Sequence, residues 1–435
     1  MITATWQAVK AKEEATKATA INEYLMDLFA LANPSEQAIE YLPTVEGPRI
    51  LSIVGLMDEA AASLETALAQ WPEVQADLHY RLARTYWGFG RVSKVESHLR
   101  RAYELRAATL GEGHPETLVV LNMLGGWAAE FRGHYEQAVE LQRRAVQGLE
   151  AAVGPNDPRT LAAKVWLGST LSAHGAIVGE QETDVDEGEQ LLRETIENCR
   201  RLFGEGDRLT LSAHLWYARS FGGYGRPAEV EPYLTEVFER SKSSLPEGDL
   251  MTAMIAQTIG NARKGLIRGR VYPGIERDHA GALELLLQAR RWYRLQDAGM
   301  TRYGLGATFS AGGSLRALGR DAEAQEIRMS TLEDCRRKLG ANHPYTHWAL
   351  ARYAWHLQNV GRLPEALQIV GDAKPETWVA DNDWTLYLML RYGRLLESAG
   401  ELAEAQVWME RAASRLVHAS SRMPRSALQS LSVRP

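Results

Sequence analysis

The sequence predicts an all-α solenoid of about eight stacked helix pairs, and three observations carry that expectation. A phrase returns along the chain: "ENCRRLFGEGDRLT" from Glu197 and "EDCRRKLGANHPYT" from Glu333 match at a distance of 136 residues, with looser versions ending at Thr117 and Thr160. A glycine followed five residues later by a small residue also recurs, at Gly90/Val95, Gly133/Ala138, Gly225/Val230, Gly319/Ala324, Gly361/Ala366 and Gly400/Ala405. With Gly175 included, the glycines lie 43, 42, 50, 94, 42 and 39 residues apart, which a period near 42 with two insertions explains. Finally, the segments on either side of these glycines have helical apolar spacing. Leu82, Ala83 and Tyr86 share one face, and Val95, Leu99 and Ala102 share the next. A fixed period of this length is the signature of a repeat array.

In chain order, residues 1–34 read as an N-terminal helix, charged early and apolar later, that stops at Asn33-Pro34. Residues 35–75 read as a linker with capping helices, 76–415 as the solenoid and 416–435 as a C-terminal tail. Within a unit the glycine ends the first helix, and the small residue after it lets the second helix approach closely. Neither helix can bury its apolar stripe alone, so successive pairs must stack. The repeated phrase then reads as punctuation between units. Leu110 and Leu339 are expected to pack inward at the end of a second helix, with Gly111 and Gly340 as its cap. His114-Pro115, Asp157-Pro158 and His343-Pro344 open the next helix, and Asp207 caps where Arg208 replaces the proline. Two insertions, the acidic "AIVGEQETDVDE" (176–187) and "RGRVYPGIERDHAG" (268–281), lengthen turns within pairs and are expected to project as surface loops. The unit at 253–290 is the least regular.

Composition narrows the function classes. Apolar residues at 45% and charged residues at 24% fit a folded chain, and a net charge of −6 gives no electrostatic footprint for nucleic acid or an anionic membrane. No apolar run approaches the ~18 residues that span a bilayer, so the chain as written reads as soluble, with no membrane insertion. Cys199 and Cys335 hold equivalent places in distant repeats and read as small buried residues rather than a disulfide pair. A kinase would need a phosphate-binding glycine loop on a strand, a strand lysine and catalytic aspartates, and none of these patterns occurs. "GLGATFSAGG" (304–313) has no strand before it and no "GK[ST]" after it. His343 and His347 stand four apart, yet no Glu or Cys completes a metal set, and no "GxSxG" is present. The expectation is a chain without catalysis, cofactor or metal.

The wording "LGEGHPETL", "RGHYEQAVELQRRAV", "LGANHPYT", "VGRLPEALQIV" and "AGELAEAQVWMERAA" resembles the tetratricopeptide repeat, in the 42-residue form found in the kinesin light chain, over about residues 76–415. Gly188 and Thr195 depart from its usual small or alanine positions. The resemblance implies a right-handed superhelical solenoid whose first helices line a concave face. A second stretch, "TWQAVKAKEEA" through "INEYLMDLFALANP" and on to "LETALAQWPEVQADLHYRLARTYWGFG", resembles the region after the kinase domain in bacterial membrane serine/threonine kinases. In that family a membrane helix precedes such a stretch and the repeats are extracytoplasmic. Neither that helix nor a kinase domain is in the sequence, which leaves two expectations: a sensor or docking region cut from such a kinase, or a freestanding relative, then cytoplasmic. A hydrolase hidden in the repeats is a third, weaker reading.

Counting back from the small residue to the ninth position of each first helix gives Arg84, Trp127, Ser169, Arg219, Gly313, Trp355 and Arg394 on the implied inner face. Tyr80, Trp87, Arg316, Gln358, Asn359 and Tyr387 extend the row. Arginine pairs with carboxylates or phosphates and tryptophan anchors apolar groups, so Arg84, Trp87, Trp127, Arg219, Arg316, Trp355, Asn359 and Arg394 are the candidate peptide-binding residues. The expected partner is a protein or peptide in the groove, with no nucleic acid. The ligand's identity, the oligomeric state and the alternative of a freestanding regulator of a small peptide signal stay open.

Overall fold

The computed structural model describes residues 11–24 and 53–416, less residues 13 and 23 and short stretches of the turns at 89–91, 133, 179–181, 222–225, 268–269, 272–274, 297, 374, 376–377 and 379–382. Most of the expected N-terminal helix, the linker up to residue 52 and the tail from 417 lie outside the described residues, as do Gly90, Gly133 and Gly225. A lead helix α1 (Ile53–Ala67) precedes eight helix pairs. These are α2 (Pro72–Gly88) with α3 (Val92–Leu110), α4 (Pro115–Trp127) with α5 (Tyr135–Val153), α6 (Pro158–Val178) with α7 (Glu182–Phe203), and α8 (Arg208–Ser220) with α9 (Val230–Ser244). Then come α10 (Leu250–Ala262) with α11 (His279–Leu295), α12 (Arg302–Ala317) with α13 (Asp321–Leu339), α14 (Pro344–Asn359) with α15 (Leu363–Gly371), and α16 (Asp383–Ala399) with α17 (Leu402–Leu416). Among the described residues the only strands are the short antiparallel pair β1 (Leu266–Ile267), just before the second insertion, and β2 (Arg270–Val271), within it.

The small residues do what their spacing implies. Val95, Ala138, Val230, Ala324 and Ala366 have no exposed surface, and Ala405 has 3%. Each second helix except the last, α17, packs between two first helices, and from α4 onward the first helices also touch one another directly. The first helices therefore form the inner wall.

The punctuation phrase closes through hydrogen bonds that join its two ends. Gly154 (φ 92°, ψ 162°) and Gly340 (φ 90°, ψ 161°) take a backbone conformation open essentially only to glycine. Their carbonyls accept the hydroxyls of Thr160 at 2.9 Å and Thr346 at 2.7 Å, and Gly111 and Thr117 repeat the bond at 2.9 Å. The residue before the helix then caps it: His343 Nδ1 accepts from Tyr345 N at 3.1 Å and Asp207 Oδ1 from Leu209 N at 2.8 Å. Leu339 is buried, sharing a cluster with Leu305 and Tyr345, but Leu110 is 45% exposed, against the expectation. No comparable cluster reaches the end of α3, so the leucine there ends its helix without a core to enter.

The acidic insertion is not simply a loop. From Glu182 it is part of α7, where Asp184 bonds His174 at 2.7 Å and Glu187 takes Arg143 Nη1 at 2.6 Å. The second insertion completes the β1–β2 hairpin and returns through Asp278, which caps α11 by accepting from Gly281 N at 2.8 Å. Cys199 and Cys335 are fully buried free thiols, pushed up to about 11 and about 12, first by burial and then by Asp207 and Asp334 respectively.

The array also curves far enough to meet itself. The Tyr345 hydroxyl at the start of α14 donates to the Gly88 carbonyl at the end of α2, 3.2 Å away and 257 residues apart in sequence. Arg302, opening α12, pairs with Glu130 in the π-helical turn Ala128–Arg132 that continues α4, and α13 touches α1.

Candidate functional site

Along the first half of the inner wall the aromatic row is real, but its members are shifted. Trp87 meets Trp166 edge-on at 6.0 Å, and Trp166 meets Trp216 at 5.3 Å. Arg219 lies over Trp216 at 4.8 Å, and the exposed Arg84 lies 5.8 Å from the Tyr80 ring. Trp127 does not join them. It is 4% exposed, in a core cluster with Tyr86, Val95 and Ala138. The reason lies one residue earlier: a Cβ on Gly126 would sit 3.3 Å from the Trp166 ring and 3.6 Å from Trp87. Glycine therefore holds the inner position, and one residue on, about 100° round the helix, Trp127 turns into the core. Ser169 is likewise buried.

The second half of the wall holds a different arrangement. Trp355 on α14 is half-buried, and four guanidinium carbons stand within 6.0 Å of its ring centroid: Arg316 at 4.9 Å, Arg352 at 5.3 Å, Arg391 at 5.9 Å and Arg328 at 6.0 Å. They come from three successive pairs, on α12, α14, α16 and the second helix α13. Lys264, in the turn after α10, adds a fifth cation and donates to the Ser310 carbonyl at 2.7 Å. Gly312 and Gly313 of α12 make room for it. A Cβ at Gly312 would stand 3.2 Å from Arg328 Cζ, and one at Gly313 would stand 3.2 Å from Lys264 Nζ. The glycines of "GLGATFSAGG" are thus helix positions where cationic heads approach.

Stacking on an aromatic face holds each guanidinium with roughly 0.5–2 kcal/mol. Like charges about 8 Å apart repel by a similar ~2 kcal/mol at an effective dielectric of about 20. The charges leave their mark on the titrations. Burial, then Arg352 and Arg328, pushes Lys264 down to about 7. Burial, then Arg352 and Arg316, pushes Arg328 down to about 9 against a small opposing pull from Asp321. Burial raises the Tyr387 phenol, but Arg391 and Arg352 outweigh it and hold it below its usual value; Arg391 Nε donates to its hydroxyl at 3.2 Å. His356, driven down to about 4 by burial and Arg328, is neutral, and its Nδ1 accepts from Arg328 Nη1 at 3.0 Å. Among the described residues, no carboxylate lies within ion-pair distance of any of the five cations.

The remaining expected site residues stand apart. Arg394 pairs with Glu397 on its own helix at 2.6 Å, and Asn359 turns its amide to the Trp355 carbonyl at 2.5 Å. Arg316 and Trp355 are the two candidates brought together. Trp166, Trp216, Arg352 and Arg391 each lie three residues before a counted position, one turn back on the same face. That offset was available in the sequence. Arg328 was not, because it lies on a second helix, where a lone charge reads as a solvated face.

Residues 75–151, which span the first two pairs, match the family model of the tetratricopeptide repeat. No curated protein sequence matches the chain. Solved structures similar to it include kinesin-light-chain TPR-like repeats from Podosopora anserina, 21% identical, covering 52% of this chain and 97% of that one at a TM-score of 0.36. A Rap protein complexed with competence and sporulation factor is 12% identical, with 91% and 96% covered at 0.48. A signal-transduction ATPase with a tetratricopeptide repeat sensor, from Pyrococcus horikoshii, is 11% identical, with 83% and 52% covered at 0.49. Among the described residues, no helix is long and apolar enough to cross a membrane, and no group of His, Cys, Asp or Glu is arranged to hold a metal.

Proposed function

We propose that this tetratricopeptide-repeat chain is a non-catalytic scaffold that holds a polypeptide segment of a partner against its inner wall. The anchor is the arginine cluster at Trp355, and the row Trp87, Trp166, Trp216 and Arg219 extends it. The observation that carries this reading is the gathering of four arginines around a half-buried tryptophan, with Lys264 close to Arg352 and Arg328 and, among the described residues, no carboxylate in ion-pair reach. Tryptophan and arginine dominate binding energy at interfaces because both combine large contact area with directed polar groups. An acidic segment would supply the missing counter-charge and raise the rate of encounter.

The wording of the N-terminal stretch favours a sensor or docking role in a bacterial signalling kinase. A freestanding regulator of a short peptide is the second reading. It is favoured by the Tyr345–Gly88 and Arg302–Glu130 contacts, which draw the inner wall round on itself and suit a short segment better than a folded domain. Panning a displayed random-peptide library tests the scaffold reading. Acidic sequences with an aromatic or aliphatic anchor should be enriched, and R316A/R352A/R391A should lose them while keeping its helical circular dichroism. Selection of sequences that bind this variant equally well would overturn it.

A further inference from the structure

Arg328 is the least ordinary residue of the cluster. It has no exposed surface, yet only Nη1 has partners, the Ala324 carbonyl at 3.3 Å and His356 Nδ1 at 3.0 Å. Its Nε and Nη2 are buried with no hydrogen-bond partner, as is Nε of Arg352. A buried donor left unmade costs more than a typical hydrogen bond gains, and an ionised one costs more still. The head lies against Gly312 and 6.0 Å from the centre of the Trp355 ring, which Arg316, Arg352 and Arg391 also approach. Cationic donors from three helix pairs therefore gather at one ring, and among the described residues no carboxylate pairs with them.

We propose that Lys264, Arg316, Arg328, Arg352 and Arg391 around Trp355 form a binding site for a tetrahedral dianion of the phosphate class. A carboxylate offers two oxygens in one plane and one negative charge, and a single arginine fork satisfies it. A phosphoryl group offers three or four oxygens pointing in different directions and close to two charges, which suits guanidiniums and an ammonium arriving from separate helices. Stacking on Trp355 keeps the guanidiniums together while no anion is bound. The Gly312–Gly313 pair lets the heads of Arg328 and Lys264 lie close against α12, at the expense of helix propensity there.

The inference concerns the anchor of the proposed scaffold and rests on that reading only for the source of the phosphoryl group. Titration calorimetry of the full chain with sodium phosphate, at constant ionic strength, tests the site without any peptide. Saturable one-to-one binding of phosphate and sulfate is expected, with acetate at least about tenfold weaker. R352Q/R391Q should weaken it by at least about tenfold, as loss of charge-assisted hydrogen bonds implies. No saturable phosphate binding, or acetate binding equally well, overturns the proposal; so does full affinity in a folded R352Q/R391Q. Should that variant fail to fold, the phosphate-against-acetate comparison on the unaltered chain decides alone. A short N-acetylated, amidated phosphoserine peptide that binds more tightly than inorganic phosphate marks a phosphorylated chain as the source. The reverse order marks a free oxyanion.

Discussion

Replacing Arg328 by Met should stabilise the unliganded chain and weaken its hold on phosphate, two effects of opposite value from one side chain. The guanidinium is fully buried, and a fall from 12.5 to about 9 means that folding disfavours its charged form by roughly 4–5 kcal/mol at 1.36 kcal/mol per pH unit. At neutral pH it nevertheless stays protonated, so the folded chain carries that penalty. Methionine has a similar unbranched stem and removes the penalty, but loses the bonds to Ala324 and His356 at about 1–1.5 kcal/mol each. The balance is roughly 2 kcal/mol in favour of the variant, the sign seen when buried charges give way to packed apolar side chains. A rise of a few degrees in the melting temperature of the C-terminal pairs is expected, read by differential scanning calorimetry without phosphate. Phosphate should then raise the melting temperature of the unaltered chain but not that of the variant. A variant less stable by 2 kcal/mol or more, with an undiminished phosphate response, would refute the reasoning, since Arg328 would then be a satisfied structural residue.

Lys264, pushed from 10.5 to about 7 by burial and by Arg352 and Arg328, makes stability depend on pH. Between about pH 7 and 10.5 the unfolded chain binds one more proton than the folded chain. Stability should therefore rise with pH across that window by up to roughly 4–5 kcal/mol, at 1.36 kcal/mol per pH unit, and Lys264→Met should remove that part of the rise in urea titrations. Of the groups facing it, His279 is held down by burial and Lys264 and so titrates below that window, whereas Arg328, at about 9, titrates within it and adds a rise of the same sign that Lys264→Met leaves in place. Thr160→Val removes a buried hydroxyl bonded to Gly154 O and should cost about 1 kcal/mol, whereas Thr210, whose buried hydroxyl has no partner, should tolerate valine at near-zero cost. Comparing the two urea midpoints checks whether the hydroxyl bond or the methyl packing matters. Cys199 and Cys335, fully buried and pushed up to about 11 and about 12, should react with a thiol reagent only as fast as the chain unfolds.

The repeat architecture was legible because its signals are local. The glycine and the small residue five positions later act within one turn, and their burial follows at Val95, Ala138, Ala324 and Ala366. The role of the phrase's threonine was not foreseen, although Thr117, Thr160 and Thr346 lie at a constant six residues from the glycines whose carbonyls they bond. At the site, Arg316 and Trp355 were found by register and their partners one turn back were overlooked. Trp127 was misplaced because a single glycine beside it decides which residue faces inward. Two features lay beyond any local reading. A buried arginine on a second helix has no sequence signature, and the Gly88–Tyr345 contact depends on curvature accumulated over six pairs.

Selenate, a tetrahedral dianion with a strong anomalous signal, puts the central claim to its most direct test when soaked into crystals of the full chain. The account predicts one dominant anomalous peak on the inner wall at the Trp355 cluster, beside the partly exposed Arg316, Arg352 and Arg391. A peak only on the outer helices, or none at a concentration that saturates phosphate binding in solution, would contradict it.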